Sequence, residues 1–249
     1  MGPDLALALE LAGAADRISL GHFRTGLAVE TKPDLTPVTE ADRAVETELR
    51  RLLGNARPED AILGEELGTS GDSARRWIVD PIDGTRNYAR GVPVWATLIA
   101  LEDSGRLQLG VVSAPALNRR WWAERGAGAY ADGEQIHVSA VERIEDAVLS
   151  FALDRELPEL ARRAWHLRAF GDFWAHMLVA EGAVDAAVDA VGVNAWDLAA
   201  VQAIVEEAGG RFSDLAGEAR FDSGTGVTSN GFLHDELLRA LAGRGSARG

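Results

Sequence analysis

The chain of 249 residues is 47% hydrophobic and 26% charged, enough apolar matter for a sizeable core in one or two domains. Its formal net charge of −14 argues against non-specific nucleic-acid binding, which asks for a basic face, but not against an anionic substrate whose field metal ions invert locally. Cysteine is absent, which excludes disulfides, zinc-thiolate sites and thiol nucleophiles.

The first segment, MGPDLALALELAGAADR, carries Asp4 and Glu10 inside an apolar stretch and has no basic region ahead of it. It reads as an amphipathic helix and not a signal peptide. The helix is expected from Asp4 to about Arg24, with Leu5, Leu9, Ala12, Ile18 and Phe23 on its buried side. No apolar run reaches the roughly 18 residues of a membrane span, so a cytoplasmic protein with no membrane partner is expected. A loop, ETKPDLTP, leads to a second helix beginning near Thr39, an N-cap residue that Asp42 can answer in a capping box, and ending around Gly54-Asn55. AILGEE (61–66) reads as a short strand running into an acidic loop, and RWIVD (76–80) as a buried strand. VPVWATLIAL (92–101) and QLGVVSAP (108–115) form a hairpin through Asp103-Ser104-Gly105. RRWWAERGAGAYADG (119–133) supplies two more short strands around a glycine turn.

From Ile136 the pattern changes. Strands DAVLSFA, HLRAF, AVDAAVD, GRFSD and GVTSN (226–230) alternate with helices near 156–165, 172–182, 195–208 and from about Leu233 to Ala242. The tail GRGSARG is expected to fray. Two lobes follow, 1–135 with mainly antiparallel strands and 136–249 with α/β alternation.

The chemistry concentrates where strands end and helices begin, rigid places to hang ligands. Glu65 and Glu66 follow AIL, Asp80 and Asp83 follow WIV, Asp197 opens a helix, and Asp42 lies on another helix's first turn. Hard cations take oxygen ligands from carboxylates and carbonyls. In Asp80-Pro81-Ile82-Asp83 the two carboxylates and the Ile82 carbonyl can converge on one volume, Gly84 permits close backbone approach, and Thr85 and Arg86 offer N–H groups to a phosphate at a helix start. Each piece also has a plain reading: DPIDGT as a turn, Glu65-Glu66 as a solvated loop, Asp197 as an acid on the helix dipole and Asp42 as a cap. Their joint occurrence favours the site. An aspartyl-phosphate design would need an acid two positions before Asp83, where Pro81 stands, so the spacing excludes that nucleophile here. Trp121-Trp122 read as sheet packing, and none of the five histidines has metal-ligand spacing; His176 reads as structural.

WIVDPIDGTRNY, preceded by GEE (64–66) and followed by WDLAAVQAIVEEAGG (196–210), resembles the inositol monophosphatase superfamily of Mg2+-dependent phosphomonoesterases. The likeness runs from KPDLTPVTEAD (32–42) to VTSNGFLHDELL (227–238), and RAFGDFWAHMLVAEGAVD (168–185) looks most similar to its histidinol-phosphatase branch. The resemblance implies a layered α-β-α-β-α sandwich of mixed α+β and α/β character, and a homodimer acting on a small phosphomonoester. It implies two to three Mg2+ ions: Glu65, Asp80 and the Ile82 carbonyl hold one, Asp80 bridges to a second completed by Asp83 and Asp197, and Glu65 helps hold a third. Thr85 and Glu65 would position a metal-activated water, with Asp42 and Thr39 in support. Gly84 and Thr85 amides would bind the phosphate, and Gly171 and Asp172 the alcohol part of the substrate. One departure stands out. The family often places a substrate-contacting Glu seven residues before the position of Asp197, where this chain has Ala190, with Asp189 beside it and Gly192 nearby; Asp189 is the candidate replacement. The expected activity is hydrolysis of L-histidinol phosphate, with an inositol-1-phosphatase or a non-catalytic metal-binding relative as alternatives.

Overall fold

The computed structural model describes residues 1–25, 29–31, 37–152 and 159–242. Most of the expected loop ETKPDLTP, the start of the helix expected near 156–165 and the tail GRGSARG lie outside them. Helix α1 (Pro3–His22) starts with proline at its first turn, where no N–H is missed. Its buried stripe is mostly alanine, Ala8, Ala12 and Ala15 around Leu11, while Leu9, Ile18 and Phe23 of the expected stripe are only partly buried. Small side chains let α1 lie close against α2 (Glu40–Ala56). Helix α2 is capped as expected: Thr39 and Asp42 form a capping box, and Val45, Leu49 and Leu53 make a buried i, i+4, i+8 stripe. A short ladder, β1 (Val29–Thr31) with β2 (Pro37–Thr39), precedes it.

Eight strands then form one sheet: β3 (Ala61–Gly64), β4 (Gly68–Ser70), β5 (Arg75–Asp83), β6 (Ala96–Asp103), β7 (Arg106–Ala114), β8 (Arg119–Glu124), β9 (Ala129–Ala131) and β10 (Glu134–Ile136). Their order is β10-β9-β8-β7-β6-β5-β3-β4, antiparallel except for the β3–β5 pair. The hairpin joining β6 to β7 turns through Ser104 and Gly105, both at positive φ (52° and 77°), the backbone that matches strand twist in a two-residue loop. A five-residue helix, α3 (Thr85–Ala89), follows β5. The later strands β11 (Val148–Phe151), β12 (His166–Arg168), β13 (Ala186–Asp189), β14 (Arg211–Ser213) and β15 (Gly226–Ser229) make a second sheet in the order β12-β11-β13-β15-β14. It is parallel across β12, β11 and β13 and antiparallel beyond. Helices α4 (Asp172–Ala180), α5 (Ala195–Glu207) and α6 (His234–Ala242) complete the chain. The described part of the helix expected near 156–165 is a 3₁₀ segment, Glu159–Arg163.

Three apolar clusters order these elements into five layers. Leu5, Leu11, Val45 and Leu49 pack with Trp77, Val79 and Ile99 on one face of the large sheet. Ile78, Leu98, Val112 and Trp121 on its other face pack with Phe173, Met177, Val201 and Ile204 of α4 and α5, which also cover Ala187 of the small sheet. Leu149, Val188 and Val227 bury the outer face of the small sheet against Leu233 and Leu237 near α6. The order is α1/α2, sheet, α4/α5, sheet, α6: the expected α-β-α-β-α sandwich. Trp121 is fully buried and Trp122 stacks on Tyr130, the packing roles expected of them.

Helix α5 is gripped from both sides. A Cβ at Gly110 on β7 would lie 2.6 Å from the Ala200 carbonyl, and one at Gly226 on β15 would lie 2.9 Å from the Leu198 side chain. Glycine at both positions lets the helix touch both sheets. Gly110→Ala is expected to lower stability by about 1–3 kcal/mol, because backbone and not a flexible side chain must yield; urea unfolding measures it, and an unchanged midpoint would contradict this seating of α5.

Candidate active site

Strand β5 does not stop at Asp80, as its apolar run suggests, but continues to Asp83. Asp80 pairs with Leu98 and Asp83 with Ala96, so Pro81 and Ile82 together oppose Thr97 in a bulge. Every backbone group of the bulge is accounted for. Proline has no N–H to satisfy, the Thr97 hydroxyl donates to the Pro81 carbonyl at 2.8 Å, and the Ile82 N–H donates to Asp80 Oδ1 at 3.0 Å. Residues three apart in a regular strand face opposite sides; the extra residue returns Asp80 and Asp83 to one side. The Ile82 side chain anchors the bulge from behind, buried with Tyr88, Trp95 and Ala41, and Tyr88 is tied to α1 through the Ser19 carbonyl at 2.7 Å.

Two further carboxylates come from helix starts. Asp197 is the third residue of α5 and accepts the Asn194 N–H at 2.6 Å in a capping box. It also reaches Asp80 and Asp83: one oxygen from each of the three lies within 4.8 Å of the others. Asp42, equivalent in α2, accepts the Thr39 N–H and hydroxyl on Oδ2 (2.8 and 2.5 Å) and faces Thr85 with Oδ1. The Thr85 hydroxyl lies 2.9 Å from the Ile82 carbonyl and 3.3 Å from Asp42 Oδ1. The capping reading of both acids is observed, and it does not compete with the site reading, since each carboxylate has two oxygens.

Glu65 sits just past β3 on a loop that α2 clamps. The fully buried Glu46 accepts the Glu66 N–H at 2.7 Å and the Leu67 N–H at 3.1 Å, and it pairs with Arg50, which also reaches the Gly68 carbonyl and the Ser70 hydroxyl. Gly64 is part of the clamp, because a Cβ there would strike the Glu46 carboxylate. Sequence reasoning missed Glu46 and Arg50; their signal is an i, i+4 acid–base pair, indistinguishable on paper from a solvated helix face.

These groups line a cleft of about 510 Å³. Glu65, Asp80, Ile82, Asp83, Gly84, Thr85 and Asp197 line it together with Gly171, Asp172, Asp189 and Gly192; Asp42 lies behind Thr85. Gly84 turns the chain at φ 81°, and an ideal Cβ there would lie 3.1 Å from the Val94 carbonyl and 3.3 Å from Asp172 Oδ2. The two groups of residues are tied together where the Phe173 N–H donates to Asp83 Oδ2 at 2.6 Å and Asn87 Nδ2 reaches Asp172 at 3.2 Å. Asp172 holds φ 56°, a left-handed conformation that aspartate tolerates better than most residues. Ala190 packs among the apolar groups of the small sheet's outer face; strand alternation therefore turns its neighbour Asp189 into the cleft. His176, read as structural from sequence, also reaches the cleft wall.

Among the described residues no salt bridge engages Asp80, Asp83 or Asp197. Burial and then neighbouring carboxylates, Glu65 first for Asp80 and Asp172 first for Asp83, hold both acids well above the usual carboxylate range. Burial pushes Asp197 up to about 7 and raises Asp42 against its Thr39 bonds. Asp172 is raised by desolvation and by Asp189. Mutually repelling oxygens without a thiol or imidazole among them, beside the Ile82 carbonyl, are the donor set of a hard divalent cation.

A model of the inositol monophosphatase family matches residues 3–245 of the chain. A histidinol-phosphatase of Mycobacterium tuberculosis is 52% identical, covering 96% of this chain and 97% of that protein. One of Streptomyces coelicolor is 48% identical, covering 96% of each. Among solved structures, a Thermotoga maritima IMPase superposes with a TM-score of 0.89 at 32% identity, covering 97% of this chain and 98% of that one.

A carboxylate whose pKa is higher folded than unfolded binds more protons in the folded state, so stability falls as pH rises between the two values. For Asp197 that window runs from about 4 to about 7, and the loss persists above it. Cations need the same oxygens deprotonated. Saturating Mg2+ is therefore expected to raise the melting temperature of metal-stripped protein more at pH 8 than at pH 6; equal shifts would contradict the assignment. Glu46→Ala is expected to cost about 2–3 kcal/mol and to weaken Mg2+ binding in calorimetric titration; unchanged affinity would detach the clamp from the site.

Proposed function

The chain belongs to the inositol monophosphatase family, and from that premise we infer that it is a metal-dependent phosphatase hydrolysing L-histidinol phosphate to L-histidinol and phosphate. The observation that carries this reading is the convergence of Asp80, Asp83 and Asp197 within 4.8 Å at one end of the cleft. Glu65, Asp80, Asp83, Asp197 and the Ile82 carbonyl would hold two to three Mg2+ ions. Bound there, Mg2+ supplies Lewis acidity to the phosphoryl oxygens and lowers the pKa of water.

The chain's own groups do the positioning. Thr85 donates its one hydroxyl proton inward, to the Ile82 carbonyl or Asp42 Oδ1, which leaves its oxygen lone pairs to accept from a water in the cleft. Glu65, which lines the same cleft, would hold that water with it. Gly84 and Thr85 bind the phosphoryl group by their amides, and Gly171, Asp172 and Asp189 receive the alcohol. The water oxygen bonds to phosphorus as the ester P–O bond breaks, and the proton that the attacking water gives up balances the one the departing alkoxide gains, leaving alcohol and phosphate.

The substrate reading rests on the other acids of the cleft. Asp172 and Asp189 put two acids where the alcohol lies, which suits the ammonium of histidinol better than the neutral hydroxyls of inositol. The relatives named histidinol-phosphatase support the same choice. The family likeness also supports a cytoplasmic homodimer, which light scattering on the purified protein tests for assembly, and a division of labour between 1–135, bearing metal-binding loops, and 136–249, completing the metal and substrate site. No described helix is long and apolar enough to cross a membrane.

Phosphate release from histidinol phosphate and inositol-1-phosphate, measured side by side with Mg2+, is expected to favour the former; the reverse order makes the protein an inositol phosphatase. Asp83→Asn is expected to lose several orders of magnitude in kcat with the fold retained, and EDTA to abolish turnover. Undiminished activity in EDTA, or a stable trapped phosphoenzyme, would overturn the mechanism.

A further inference from the structure

His176 on α4 is 1% exposed, and both of its ring nitrogens are engaged. Nε2 lies 2.8 Å from Asp189 Oδ2 on β13, and Nδ1 lies 2.8 Å from Thr228 Oγ1 on β15. Resting on the function proposed above, we propose that His176 and Thr228 are positioning residues that aim the Asp189 carboxylate at the substrate's ammonium group, making this end of the cleft selective for phosphomonoesters of amino alcohols over those of neutral polyols.

The proton count fixes the direction of the chain. A carboxylate only accepts, so Nε2 carries the hydrogen and donates to Asp189. In the neutral ring Nδ1 is then an acceptor, and the Thr228 hydroxyl donates to it. Thr228 has no other side-chain hydrogen bond among the described residues, so its proton is available for this role. The order of groups resembles a nucleophilic triad, but it points the wrong way for one. Thr228, the hydroxyl that would have to be the nucleophile, is 0% exposed on the sheet, while the imidazole and the acid are the members that line the cleft.

In this tautomer the imidazole orients Asp189 without cancelling its charge. Oδ2 is held by His176, while Oδ1 has no partner among the described residues. Asp189 is 7% exposed, and Asp172, close enough for the Asp189 charge to raise it, adds a second acid nearby. Arg86 opposes Asp172 electrostatically, yet among the described residues no arginine or lysine pairs with Asp172 or Asp189, whose side-chain partner is the His176 ring. A cation placed here gains a charge-assisted hydrogen bond. A neutral hydroxyl leaves a mostly buried carboxylate undercompensated, which is how a site rejects an analogue lacking its partner group. Three elements, α4, β13 and β15, lock the chain in place; β13 and β15 are hydrogen-bonded neighbours with Ala187 opposite Thr228.

The test compares histidinol phosphate with inositol-1-phosphate on the Mg2+-loaded protein and on His176→Leu, His176→Gln, Thr228→Val and Asp189→Asn. His176→Leu is expected to raise KM for histidinol phosphate about 10–100-fold while kcat changes less than about threefold and inositol-1-phosphate kinetics hardly move. His176→Gln, whose amide can replace the Nε2–H donor, should recover most of the loss. Thr228→Val keeps the shape and should shift KM in the same direction by a smaller factor, which covers the case in which His176→Leu fails to fold. Equal losses on both substrates, or no loss on either, in folded variants overturns the proposal. Selective loss in Asp189→Asn without any in the His176 and Thr228 variants overturns it too, yet leaves the proposed function standing. A wild-type protein that does not prefer histidinol phosphate overturns both.

Discussion

Asp80, Asp83 and Asp197 repel one another. They are drawn within 4.8 Å in a place partly closed to water, with carboxyl groups held above their ordinary pKa by burial first and then by the charge of neighbouring acids, Glu65 and Asp172 foremost. A chain gains nothing by assembling such a cluster for its own stability. The surrounding structure must hold it against that repulsion, and a divalent cation reverses the sign of the interaction. Much of the architecture around the cleft can be understood as the framework that keeps these oxygens together.

Three mechanical devices do the holding. The β5 bulge turns two acids of one strand to the same side, with Thr97 and the Asp80 carboxylate itself absorbing the displaced backbone groups. Helix α5, wedged between the sheets at Gly110 and Gly226, delivers Asp197 from a capping box. Helix α2 does two jobs from one face: Asp42 supports Thr85, and one turn later Glu46 fixes the loop that carries Glu65. The other acids of the cleft, Asp172 and Asp189, come from α4 and β13, and α4 is tied to β5 and α3 through Phe173 and Asn87.

What could be read from sequence was whatever depended on neighbours in the chain. The Thr39–Asp42 capping box, the Ser104-Gly105 hairpin and the spacing of Asp80 and Asp83 are local, and the structure contains all three. The five-layer order followed from the family likeness and not from periodicity. Errors arose where packing between distant elements decided the outcome. The stripe on α1 was expected at Leu5, Leu9, Ala12, Ile18 and Phe23; Leu5 and Ala12 are buried, yet close approach to α2 favours alanines over the other three. Strand β5 outruns its apolar run because a bulge paired to β6 extends it. Glu46 and His176 look ordinary in sequence, and only their burial against Glu66, Leu67, Asp189 and Thr228 gives them roles. Asp189 could be suspected from the departure at Ala190, but the strand's alternation, visible only once β13 was placed, decides which of the two faces the cleft.

The central claim is that the carboxylate cluster is a cation site. Anomalous scattering from Mn2+ soaked into crystals of the protein tests it most directly. The account predicts a peak at coordination distance from oxygens of Asp80, Asp83 and Asp197, lost in Asp197→Asn or moved away from that oxygen. A protein that hydrolyses its substrate with Mn2+ bound elsewhere, and none among these three acids, would contradict it.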